Sequence, residues 1–361
     1  MPSIVVNDKG HILSYEDSGS PVNDSKTSYT TLILFHGTGF HGAIFKRLVP
    51  FASKHNLRLV LVNRRDYPGS SAYSEEELDQ LTSTSNEAHM KFAIDRGLEL
   101  ATFIDTFIKN ENIQEPLVIE QADGSVKRGP GGVVVLGWSA GNVFTVPLLS
   151  YAEKVPVEKR SRIEPYLKSL IIFDAPSAFL GRPVIAKGTV VLGDYSLSFE
   201  ERVRQFSEWV GAYYVHPSIT SRDPADLLRL VQDGTGMNTM NHISVEELSE
   251  MTDFVAASRS DIAFRTAKPS VHIDRIRKAI FNDALARYFP RCSVDVIWCE
   301  NTTCASVDAA WGFEEEKEKA EREGINGRPF RILLMPEANH FPHWDQPEGT
   351  MEYFAKVITS S

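Results

Sequence analysis

Short, nearly unbroken apolar runs recur along this chain, and each ends in small or polar residues. They are "TTLILFHG" (30–37), "LRLVLVNRR" (57–65), "VVVLGW" at the start of 133–143, "LKSLIIFD" (167–174), "SVDVIWC" and "FRILLMP". Strands with this little alternation are buried on both faces, which is the habit of a parallel sheet. The segments between them have helical spacing. "GAIFKRLVPFASKH" (42–55) repeats apolar residues at Ile44, Leu48 and Phe51, and a long amphipathic helix follows Asn86, a plausible N-cap. Before the first run, "SIVVN" and "HILSYEDS" form two short strands around the turn Asp8-Lys9-Gly10. "PLVIEQADGSVKR" holds an Asp123-Gly124 pair, the signature of a tight hairpin turn on the surface.

The strand–helix alternation stops after Asp174 and resumes near residue 291. Between them, "SFEERVRQFSEWVGAYY", "VEELSEMTDFVAAS" and "IDRIRKAIFNDALARYF" are helical patterns with no convincing buried strand. The pattern therefore predicts one α/β core, residues 1–176 and 291–361, with a helical insertion over 177–290 after the sixth strand. "QDGTGMNTMN" (232–241) falls between helices and is read as a loop of the insertion. The run "EEEKEKAERE" near the C-terminal end is read as a solvated helix face.

Composition narrows the class of partner. With 42% hydrophobic and 24% charged residues, the 361-residue chain can bury a sizeable core. A formal charge of −10 offers no basic excess for nucleic acid or an anionic membrane. No apolar run is long enough to span a bilayer, no signal peptide is visible, and the C-terminal "VITSS" matches no targeting signal, so the expectation is a cytoplasmic protein. Cys292, Cys299 and Cys304 are an odd, sparse set without His or Cys at ligand spacing. They are read as buried or partly buried thiols, with no metal and no cofactor. Nothing in the pattern bears on oligomeric state.

The chemistry gathers where the strands end, which in open α/β sheets is where ligands collect. "GWSAG" (137–141) sets Ser139 between two glycines at a strand-to-helix turn. Such a turn lifts the serine oxygen above the sheet, and Gly137, Ala140 and Gly141 let strand and helix come close. A serine nucleophile needs a base. His340 comes soonest after the last strand, while His343 beside Trp344 suits packing or capping equally well. In "FHGTGFHG" (35–42), Gly37 and Gly39 let the backbone turn its N–H groups inward. The Thr38 amide, with that of Ala140, would form an oxyanion hole. The glycines do not have phosphate-loop or dinucleotide spacing.

Four motifs in order resemble the α/β-hydrolase superfamily: His36-Gly37, "RRDYPGSS" (64–71), "GWSAG" and "ANHFPHWDQPE" (338–348). The resemblance covers nearly the whole chain outside the insertion, and implies that residues 177–290 form a helical cap. It aligns the family's histidine with His340. Ser70 stands where "RRDYPGSS" would have a second glycine. The family's usual acid position, in "IWCENTTCASVD", holds Thr302 instead of Asp. Some members of the family place the acid after the preceding strand instead, and there the resemblance points to Asp174, with Glu300 as second candidate and Asp308 as third.

These residues point to a serine hydrolase acting on a small, moderately hydrophobic carboxylic ester or lactone through an acyl-enzyme. A C–C bond hydrolase or a non-hydrolytic enzyme with the same triad is the alternative, and a binding protein that keeps only the fold is the third. Phe179, Phe206, Trp209, Tyr213, Tyr214, Met237, Met240 and Phe254 make the insertion rich in apolar bulk. At helical spacing such residues build cores more often than pockets.

Overall fold

The computed structural model describes residues 1–21, 28–120, 126–186, 188 and 190–360. In chain order the strands are β1 (Ser3–Val5), β2 (Ile12–Asp17), β3 (Thr30–Phe35), β4 (Leu57–Val62), β5 (Val118–Glu120), β6 (Val126–Arg128), β7 (Val133–Trp138), β8 (Leu167–Phe173), β9 (Ser293–Cys299) and β10 (Phe330–Met335). β5 and β6 form a separate antiparallel pair, and the other eight make one sheet in the order β1-β2-β4-β3-β7-β8-β9-β10. β2 runs antiparallel to both β1 and β4, and every neighbouring pair from β4 to β10 is parallel. The Asp123-Gly124 turn lies outside the described residues, although the strands on either side of it do pair.

Every residue of β3, β4, β7 and β8 is buried, which explains why these strands show no polar alternation; β10, read from its apolar run as buried on both faces, is instead an edge strand and is mostly half-buried, with Leu334 exposed. Successive side chains leave the sheet on opposite faces. Ile33, Phe35, Val60 and Val135 pack into the core shared with the helix Asn86–Asn110. Leu32, Leu34, Leu61 and Leu136 pack into the core shared with the terminal helix Pro347–Thr359. Among the described residues no helix is long and apolar enough to cross a membrane. All three cysteines are free and buried.

Local details depart from the sequence pattern for physical reasons. Ser85, not Asn86, caps the long helix: its backbone is extended and its side chain accepts from the Ala88 N–H at 3.4 Å, while Asn86 is already helical. The segment 42–55 is three short turns rather than one helix, yet Ile44 and Leu48 are buried as their spacing requires. "VEELSEMTDFVAAS" is broken at Thr252, which bridges to Phe40 in the loop after β3; Asp253 then caps the next turn, accepting from Ala256 N–H at 2.8 Å.

Between β8 and β9 the described residues contain short helices and no strand, the longest being Phe199–Gly211 and Pro269–Ile280. The strand registers bring Phe35, Val62, Trp138, Phe173, Cys299 and Met335 to one edge of the sheet. The loops leaving that edge carry the candidate chemistry.

Burial also sets a pH response. Burial, reinforced by the Arg64 charge, holds His36 well below the usual histidine value; burial and His340 do the same to His343. Burial, with Arg275, lowers His272 to about 3. These imidazoles stay neutral in the fold but take up protons in the unfolded chain once the pH drops below the ordinary value of 6.5. The unfolded state then binds more protons, so stability falls as pH falls, by up to about 1.4 kcal/mol per pH unit for each histidine. Urea midpoints should therefore drop between pH 7.5 and 5, above the range in which most carboxylates titrate. A midpoint that is flat over this interval would contradict the assignment of these histidines as neutral.

Candidate active site

Ser139 adopts the left-handed conformation with φ of 52°, which non-glycine residues rarely do. The turn around it is tightly packed. A Cβ on Gly137 would lie 2.5 Å from Thr145 Oγ1, and one on Gly141 would lie 2.4 Å from the Phe35 carbonyl oxygen. Both glycines of "GWSAG" are thus required by close approach, as the motif predicted. Asn142 Nδ2 donates to the Ser139 carbonyl at 2.8 Å and fixes the first turn of the following helix. Strain of this kind persists only where the surroundings hold it, and it recurs at active sites.

The chain brings His340 and Asp174 together, 166 residues apart in sequence, with His340 Nδ1 at 2.5 Å from Asp174 Oδ2. Asp174 is completely buried and also has a positive φ, 44°. Its carboxylate accepts from the Cys299 N–H at 2.9 Å and from Thr302 Oγ1 at 2.6 Å. An ionised carboxylate can only accept, so Nδ1 of His340 carries the proton and Nε2 is the basic nitrogen. Trp138, the residue before Ser139, donates from Nε1 to the His340 carbonyl at 3.0 Å, and the two rings lie 5.0 Å apart.

The other two acid candidates are engaged elsewhere. Glu300 accepts from the Glu337 N–H at 2.8 Å, and Asp308 pairs with Arg182 at 2.8 Å. His343 is buried among Trp138, Phe45 and Phe341. Gly37 lies directly against the serine: a Cβ there would meet Ser139 Cβ at 2.9 Å. Gly39 is left-handed, at φ 79°, and a Cβ on it would run into the Phe254 ring at 2.4 Å. The Gly39 N–H is taken by Tyr67 Oη at 3.0 Å.

Several residues that hold this arrangement escaped the sequence reading. Thr302, at the position where the resemblance would put the family's acid, donates its hydroxyl to the Asp174 carboxylate. Asn339 is fully buried beside His340; its Nδ2 donates to Gly211 O at 2.9 Å and to Thr239 Oγ1 at 2.7 Å, and its Oδ1 accepts from Phe341 N–H at 2.8 Å. In the sequence Asn339 reads as an ordinary turn residue, and its Oδ1 does close a turn on the Phe341 N–H; its bonds to Gly211 and Thr239 reach distant segments and left no mark. The apolar residues of the insertion divide: Phe206, Trp209 and Tyr214 are core, Met237 is exposed, and Phe254 stands half-buried over Gly39.

Among the described residues one group could offer a metal three ligand atoms, His11, Glu77 and Glu99, within 4.8 Å of one another. Arg65 and Arg96 already bind both carboxylates there, so a cation would face two guanidinium groups. The chemistry of that donor set does not suit a metal.

The fold and the strand-edge site define a class, and comparison with known proteins states it. A model of the Alpha/beta hydrolase family matches residues 32–352, and the chain belongs to that family. No curated protein matches it in sequence. Among solved structures it is similar to an esterase from Exiguobacterium antarcticum, with 14% identity, 99% of each chain covered and a TM-score of 0.52. It is also similar to a thermophilic esterase from Thermogutta terrifontis (14% identity, 99% of this chain and 98% of that one, TM-score 0.50). A third is the epoxide hydrolase VrEH1 from Vigna radiata (9% identity, 100% and 97% covered, TM-score 0.54). At such identities the likeness is one of fold.

A short, water-excluded N–H···O bond deshields its proton strongly. The imidazole region of the proton spectrum should show a far-downfield ring N–H that vanishes in Asp174→Ala and persists in Glu300→Gln. Loss of the signal in Glu300→Gln instead would contradict the pairing.

Proposed function

We propose that this protein is a serine hydrolase that cleaves a small, moderately hydrophobic carboxylic ester or lactone through an acyl-enzyme. The observation that carries the reading is the short contact between His340 and a fully buried Asp174, together with a serine in a strained left-handed turn whose preceding residue, Trp138, hydrogen-bonds to the His340 carbonyl. His340 Nε2 takes the proton of Ser139 as its oxygen attacks the carbonyl carbon, and returns it to the leaving alkoxide. Asp174 holds the ring in the productive tautomer and stabilises the imidazolium that forms. The Thr38 and Ala140 amides receive the oxyanion. Water, activated by the same histidine, then releases the acid.

The nature of the nucleophile favours esters over epoxides. A serine alkoxide opening an epoxide would form an ether, which has no acyl carbon for water to attack. An aspartate in that position would form an ester that water can cleave. The chain has Ser139 there.

A fluorophosphonate probe should label the wild-type protein at Ser139 and leave Ser139→Ala unlabelled, and p-nitrophenyl acetate or butyrate should turn over. Asp174→Asn should lower kcat by about four orders of magnitude, by analogy with loss of the acid in other triads. Thr302→Val removes one hydrogen bond to a charged group, for a loss of about tenfold or more. Absence of both labelling and turnover across esters, lactones and β-diketones would overturn the reading.

A further inference from the structure

The two arginines at the end of β4 go separate ways. Arg65 turns into the core, where it pairs with Glu77 and Glu99. Arg64 reaches instead to the segment inserted between β8 and β9. Its Nη1 and Nη2 donate to the two oxygens of Asp261 at 2.9 and 2.7 Å, and both side chains are 1% exposed. This fork is the bidentate geometry in which Arg and carboxylate bind most specifically. Burial alone would depress the Arg64 pKa, but Asp261, with Tyr67 and Tyr73, more than offsets it and holds the guanidinium above its ordinary value.

Asp261 grips the loop after β3 from both sides of Thr38. On one side, Arg64 Nη2 donates to the Gly37 carbonyl at 3.0 Å. On the other, Tyr67 Oη donates to Asp261 Oδ2 at 2.7 Å while accepting the Gly39 N–H at 3.0 Å. The Gly37–Thr38 peptide is trans and planar, so its C=O and N–H point in opposite directions. Fixing the Gly37 carbonyl on Arg64 therefore turns the Thr38 N–H away from the guanidinium. The Gly39 N–H, already held by Tyr67, is withdrawn from competition. A further tie comes from the same inserted segment, where the Asp253 N–H donates to the Gly39 carbonyl at 2.8 Å.

We propose that Asp261 is a positioning residue: through Arg64 and Tyr67 it sets the orientation of the Thr38 amide, so that the inserted segment completes the oxyanion hole. The proposal rests on the serine-hydrolase reading. Asp261 touches neither substrate nor reacting atoms; it acts through the two side chains it holds. Without its charge the Arg64 fork loses its anchor, and the Gly37 carbonyl keeps only the His36 ring Nδ1 at 3.0 Å, so the orientation of the 37–38 peptide is held less firmly. The tetrahedral adduct would be destabilised while ground-state binding stays as it was, because only the adduct places full charge on its oxygen.

The test compares wild type, Asp261→Asn and Tyr67→Phe, all close in shape to the native side chains. With p-nitrophenyl butyrate, Asp261→Asn should lower kcat roughly 10- to 100-fold, less than the full loss of a hole donor, with KM within about threefold. Affinity for butylboronic acid, whose serine adduct is tetrahedral, should fall by the same factor as kcat/KM. Tyr67→Phe should lose less, and the double variant should be no worse than Asp261→Asn, since both act on one loop. Amide hydrogen exchange over residues 37–40 should quicken in Asp261→Asn. A kcat within twofold of wild type would overturn the proposal, as would a rate loss explained by unfolded protein with boronate affinity per folded molecule unchanged. Should the wild type turn over no ester, the hydrolase reading fails by itself. Exchange then still judges the clamp, and unchanged exchange in Asp261→Asn would overturn it.

Discussion

The site depends on one buried carboxylate. Asp174 has no contact with water, and a charge in that position costs several kcal/mol unless donors surround it. Its donors come from separate stretches: the Cys299 amide at the end of β9, Thr302 in the loop beyond, and His340 after β10. Each hydrogen bond to a charged group contributes about 1.5–3 kcal/mol. Satisfying the carboxylate therefore also aligns the ends of β8, β9 and β10, and it fixes the ring of His340. Stability and the proposed chemistry use the same bonds.

The inserted segment is fastened to the loops that carry the site. Asn339, next to His340, donates to Gly211 and Thr239, and Asp345 accepts from Tyr213 and Thr239. At the opposite end of the site, the His41 N–H donates to Met251 O and the Asp253 N–H to Gly39 O. Swinging the whole segment away would break all of these at once.

Much of this was legible in the chain, and what was not has a common cause. Unbroken apolar runs identify the strands of the sheet, buried on two faces in its interior though not in β10 at its edge, and "GWSAG" identifies the tight strand-to-helix turn because close approach leaves room only for glycine. Those signals are local. The choice among Asp174, Glu300 and Asp308 is not, since it turns on which strand ends lie side by side. The Thr302 hydroxyl was visible only as a departure from the family pattern. Asp261 lies 197 residues from Arg64, and neither residue carries a mark that names the other. The helical spacing over 245–256 hid a break at Thr252 because the bridge to Phe40 comes from outside the segment.

The central claim is that Ser139 attacks an acyl carbon whose oxygen is received by the Thr38 and Ala140 amides. A crystal structure of the protein after reaction with a small alkyl fluorophosphonate measures this most directly. The account predicts a covalent bond from Ser139 Oγ to phosphorus, with the phosphoryl oxygen about 2.7–3.1 Å from both amide nitrogens. An adduct on another residue, or one on Ser139 whose oxygen faces away from Thr38 and Ala140, would contradict it.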